Sequence, residues 1–151
     1  MAFKRARQCD ARHRGVSALP RTITVSSRAL GPRLRVAVKV YDDVEAMRRA
    51  GQAFNGNDQT GALGVTQCSV DEDGRTTSVI VRLTRDHLGT QIIGHELHHA
   101  AAALYGATLP ETIRSRDHLN HFNEPFAHLF SDLLARLVIR LYDLGYYGYG
   151  T

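Results

Sequence analysis

No run in this 151-residue sequence approaches the 18 apolar residues of a membrane-crossing helix, and the basic first thirty residues lack a secretion signal's continuous apolar segment. A soluble, cytoplasmic protein with no membrane partner is expected. Cysteine is scarce: Cys9 and Cys68 make neither a C-x-x-C pair nor a disulfide framework, and both read as ordinary thiols of a reducing compartment. No internal repeat is visible. Residues 1–20 hold one Phe and no Tyr or Trp, which argues against a base-stacking platform there.

Charge is distributed unevenly. Residues 1–40 contain ten Lys or Arg against one acid, a balance of +9, whereas 41–151 carry −5. Residues 1–20 have no apolar period and read as a basic, solvated arm, which also allows a nucleic-acid or acidic partner. The remaining length and the 43% hydrophobic content suit one domain with a real core, over 21–144, followed by a Gly/Tyr tail at 145–151.

Within that domain the apolar period changes type. Ile23 and Val25, then Leu34, Val36, Val38 and Val40, alternate with polar residues on either side of Gly31-Pro32, predicting two strands. Asp42 or Asp43 can cap a helix through about Phe54, with Val44, Met47 and Gln52 or Ala53 inward, stopped at Asn55-Gly56. A hairpin is expected over 64–70 and 75–83, with Val79 and Val81 on one face and Ile80 on the other. Two helices follow, from about His87 to Tyr105 with Thr84 or Asp86 as cap and Gly106 as stop, and from about Glu124 to Leu144. The expected fold is α+β: a small twisted antiparallel or mixed sheet packed on two C-terminal helices that hold a metal.

The metal expectation rests on His95-Glu96-Leu97-His98-His99. On a helix, positions i and i+4 share a face, so His95 and His99 can offer two imidazole nitrogens to one zinc ion. Glu96 stands about 100° round the helix, beside the ligands, as the general base of an H-E-x-x-H hydrolase. The ion would acidify a water and polarise the scissile carbonyl, and the glutamate would carry the proton to the leaving amine. Eight His and five Glu in the chain would give this register by chance about 1 to 2% of the time. Apolar residues on both flanks, including Ile93, Leu97, Leu88 and Ile92, suggest a buried helix, in which an unliganded histidine pair would be costly. His98 projects about 60° from His95 and reads as a residue behind the site or on the surface.

The third ligand is open among His118, His121, Glu124 and His128, with Asp117 and Asp132 as weaker candidates. Pro125 fits the first turn of a helix capped by Asn123, which sets Glu124 at the positive end of the helix dipole. Ala127, Ser131 and Ala135 share its side and would let that helix approach the motif helix closely. His128, His118 and His121 are further candidates for supporting the ligands or stabilising an oxyanion, as are Tyr146 and Tyr147.

An H-E-x-x-H followed by a glutamate on the next helix resembles the gluzincin pattern of compact zincins, such as ImmA/IrrE-like and phage-encoded metallopeptidases. The likeness covers about residues 84–142, with Thr90 and the upstream hairpin placed as in such proteins. It implies His95, His99 and Glu124 as zinc ligands, Glu96 as catalytic base and a peptide or protein substrate. A third histidine from His118 or His121 would instead resemble SprT-like enzymes. Position 128, four after Glu124 and acidic in thermolysin-like enzymes, is a histidine here. Two other readings remain: a nucleic-acid-associated module with a structural zinc and a basic N-terminal arm, and a catalytically silent zincin fold acting as an interaction protein.

Overall fold

A computed structural model describes residues 19–110 and 123–147. Its architecture is α+β, with a four-stranded mixed sheet and three α-helices. Strands β1 (Arg21–Ser27) and β2 (Leu34–Tyr41) pair antiparallel, Ile23 opposite Val38 and Val25 opposite Val36. Gly31, at φ +95°, turns the chain between them, and its amide donates to the Arg28 carbonyl.

Helix α1 (Val44–Asn55) starts at Asp43, whose carboxylate accepts from the amides of Glu45 and Ala46. It ends at Gly56, in the left-handed region, with that amide bonded to the Gln52 carbonyl. Met47 and Gly51 are its buried positions, while Gln52 and Ala53 are exposed, contrary to expectation. The reason is spacing: one turn beyond Met47 is Gly51, where a Cβ would stand 3.1 Å from Gln59 and 3.6 Å from Val65, so the bare backbone of this turn packs on the sheet and turns 52 and 53 outward.

Strands β3 (Gly64–Val70) and β4 (Thr76–Thr84) form the expected hairpin, and β4 also pairs parallel with β2. The strand order is β1-β2-β4-β3, with β1 and β3 at the edges. One face of the sheet carries Ile23, Val25, Val36, Val38, Val79 and Val81 into the main core beneath two helices, α2 (Thr90–Thr108) and α3 (Asn123–Asp143). The other face packs Tyr41 and Val65 on Met47 of α1. Leu129, Leu133, Leu137 and Leu141 of α3 recur every four residues and are fully buried.

The boundaries of α2 differ from the sequence reading. A single 3-10 turn, Arg85–His87, precedes it, and neither Thr84 nor Asp86 caps it: Gly89 holds the cap position without a side-chain bond. The helix also runs through Gly106. It stops before Pro110, which forces the preceding Leu109 into an extended conformation (φ −83°, ψ 146°). Beyond α3, the amides of Gly145 and Tyr146 close on the carbonyls of Tyr142 and Leu141, and Tyr147 donates to the Leu88 carbonyl. The start of the tail is thereby fastened to the start of α2. Among the described residues no helix is long and apolar enough to cross a membrane.

Candidate metal centre

The second and third turns of α2 carry the motif, and its two faces have different surroundings. Ile93, Leu97, Ala100 and Leu104 bind the helix to the core. His95, His98 and His99 are exposed, which corrects the expectation of a helix buried all round. An unliganded histidine pair here is solvated, so burial gives no argument for a ligand. Nε2 of His95 and Nε2 of His99 are 3.2 Å apart, with the rings at 87° to one another. Two nitrogens bound at 2.0–2.1 Å to a tetrahedral ion would stand about 3.3 Å apart. The pair is therefore set at the chord that zinc requires, and the same spacing also suits a hydrogen bond between two neutral imidazoles.

Glu96, about 100° round the helix from His95, enters the seam between α2 and edge strand β3 and is 6% exposed. The Thr66 hydroxyl lies 2.7 Å from Glu96 Oε2 and 2.9 Å from the Glu96 carbonyl oxygen, so its one proton can serve either. A Cβ on Gly64 would fall 2.6 Å from Glu96 Cγ and 3.0 Å from Oε1; only glycine leaves room for this carboxyl. Neither Gly64 nor Thr66 was singled out from the sequence. Their signal was present in the strand's alternation: 64, 66 and 68 are Gly, Thr and Cys, small residues on the face that turns toward α2, whereas Val65 turns toward α1.

The other candidates are dispersed. Among the described residues no group of three or more His, Cys, Asp or Glu is gathered as a metal site. His118 and His121 lie outside the described residues. Glu124 is placed in the first turn of α3, but its side chain is likewise outside them. The small-residue face of α3 does not meet α2: Ala127, Ser131 and Ala135 are exposed. Contact is instead made by aromatic rings, with Phe126 at 5.2 Å and Phe130 at 6.1 Å from His98, and Phe126 at 6.1 Å from Tyr105. Bulky rings on the buried stripe won over the small residues because they remove more apolar area from water. Even so, the start of α3 lies beside the motif half of α2.

His128 is exposed and lines a cleft with Arg28, Ser131, Asp132 and Arg136, none of which belongs to the motif. Tyr146 lies under the Arg85 guanidinium, 5.0 Å away. The Tyr147 hydroxyl is held by Leu88; burial, and then the neighbouring Tyr142, raise its pKa, which keeps it a proton donor to that carbonyl. Both tyrosines thus serve packing at the base of α2. No known protein family, characterised protein or solved structure matches the chain.

Proposed function

We propose that the protein is a zinc-dependent peptidase of compact zincin type, with His95 and His99 as ligands, Glu96 as general base and Glu124 as the third ligand. The observation that carries this reading is the 3.2 Å separation of the two ring nitrogens, one turn apart on a helix whose intervening Glu96 is sequestered. Bound there, zinc would supply Lewis acidity and lower the pKa of a coordinated water. The chain's own contribution is the carboxylate: the Thr66 hydroxyl can donate to Oε2, which leaves Oε1, beside Gly64, as the atom to receive a proton. The outer edge of β3 offers main-chain partners to an extended peptide next to that carboxylate.

The purified protein is expected to bind one equivalent of zinc by metal analysis, and His95→Ala or His99→Ala to lose it. Glu96→Gln is expected to retain zinc and lose cleavage of a denatured protein substrate. Cleavage surviving in Glu96→Gln would remove that residue from the mechanism. The second reading, a nucleic-acid-associated module with a structural zinc, is favoured by the +9 balance of residues 1–40. It requires that deleting the arm, residues 1–20, abolish salt-sensitive DNA binding, a change that leaves a peptidase active.

A further inference from the structure

The edge of the sheet opposite β3 carries a feature that the proposed hydrolytic site does not use. Strand β1 and helix α3 run beside each other in opposite directions. Thr24 and Ser26 of β1 line a groove of about 310 Å³ with Arg136, Ile139 and Arg140 of α3. At Arg136 it meets an open cleft of about 700 Å³, which Arg28 and Asp132 also line. The charge along this path is positive. Among the described residues Asp132 is its one acid, and it is already engaged by the Ser27 hydroxyl at 2.5 Å and by Arg136 Nε at 2.9 Å. Arg28 and Arg140 have no ion-pair partner among the described residues, and Ile139 is 58% exposed between the α3 arginines.

We propose that this groove binds an extended acidic polypeptide segment that adds to the free edge of β1. Strand addition supplies affinity through main-chain hydrogen bonds and selectivity through alternate side chains. The spacing agrees: side chains two apart on an extended chain are about 6.7 Å apart, and Arg136 and Arg140 are about 6 Å apart along the helix axis. Carboxylates at alternate positions would meet successive arginines. The sign of the charge selects the occupant. A second copy docked edge to edge would oppose arginine to arginine, and the chain's own basic residues 1–18 carry the same sign as the groove. Nucleic acid is disfavoured because, among the described residues, no Phe, Tyr or Trp lines either the groove or the cleft to stack a base, and His128 is the cleft's one ring.

The test uses the full chain and a fluorescent heptapeptide of alternating glutamate and valine, followed by anisotropy at low salt. Binding is expected to weaken about tenfold or more in the double variant Arg28→Glu, Arg140→Glu, whose residues are exposed and have no ion-pair partner among the described residues; an unchanged melting temperature would certify its fold. A backbone N-methylated version of the peptide is expected not to bind, and the unmodified peptide to slow hydrogen exchange of the β1 amides. Unweakened binding to the double variant would assign the peptide to the basic residues before 19 and overturn the proposal. So would binding of the N-methylated peptide, tighter binding of a single-stranded oligonucleotide at the same arginines, or a dimer that the double variant dissociates. No binding at all overturns it as well.

Discussion

At the scale of single residues, the site depends on what Gly64 lacks. A methyl group there would sit 2.6 Å from Glu96 Cγ, a contact that neither β3 nor α2 can absorb without moving the carboxyl. Gly64→Ala is expected to destabilise the fold by about 1–3 kcal/mol, the usual effect of overpacking. On the proposed reading the variant should still bind zinc, because the atoms nearest that methyl group all belong to Glu96, while peptide hydrolysis falls at least about tenfold. Parallel zinc titration and peptidase assay check this; undiminished hydrolysis would show that Gly64 does not set the position of Glu96. The motif itself was legible because helical spacing alone fixes which side chains share a face. Its contact with Gly64 and Thr66 was not, since a partner some thirty residues away is set by how the helix crosses the sheet.

At the scale of elements, two polar clusters join parts of the fold that hydrophobic patterning cannot register. On the α1 face Arg82 is 5% exposed, and its partners are neutral: Nε donates to Gln67 Oε1 at 2.9 Å and Nη1 to the Tyr41 hydroxyl at 2.8 Å. Gln67 in turn donates to the Gly51 carbonyl, and the guanidinium lies 5.7 Å from the Phe54 ring. Tyr41→Phe is expected to cost about 1–3 kcal/mol, because it leaves a buried charged donor unmet. Converting the cluster together, with Tyr41→Phe, Gln67→Leu and Arg82→Met, should recover much of that loss. Urea midpoints at constant m-value check both.

The second cluster ties β1 to α3. The Ser27 hydroxyl, first, and then Arg136 hold the Asp132 carboxyl below its ordinary pKa, against the opposing effect of burial. A carboxyl lowered in the folded state contributes stability that is present above its ordinary value, about 3.9, and is lost as pH falls through the lowered one. The stability difference between the native chain and Asp132→Asn should therefore be full at pH 6 and shrink below about pH 4. A difference independent of pH between 6 and 3 would remove the charge from this role. The elements themselves were readable to within a few residues, because alternation and helical stripes report burial directly. What failed was local: Pro110, not Gly106, ends α2, and the small-residue face of α3 turns outward because Phe126, Phe130 and the leucine stripe cover more apolar surface.

At the scale of the whole molecule, the packing shows how little the fold would depend on the proposed metal. A zinc finger is unfolded without its ion because it has little else to bury. Here α2 and α3 are held by Ile93, Leu97, Leu129, Leu133 and Leu137, all fully buried with the β1, β2 and β4 side chains, while the histidine pair faces solvent. Removing zinc with a chelator should leave far-ultraviolet circular dichroism and cooperative unfolding in place. Linkage still requires that an ion bound only by the folded chain raise stability, by about 2.7 kcal/mol at one hundred times its dissociation constant. For a domain of this size that is about 5–10 °C in melting temperature. The rise should vanish in His95→Ala and persist in Glu96→Gln. Collapse of the helical signal on chelation would instead make the metal structural and move the balance toward the nucleic-acid-associated reading, whereas an unchanged melting temperature at saturating zinc would mean that the histidine chord holds no ion.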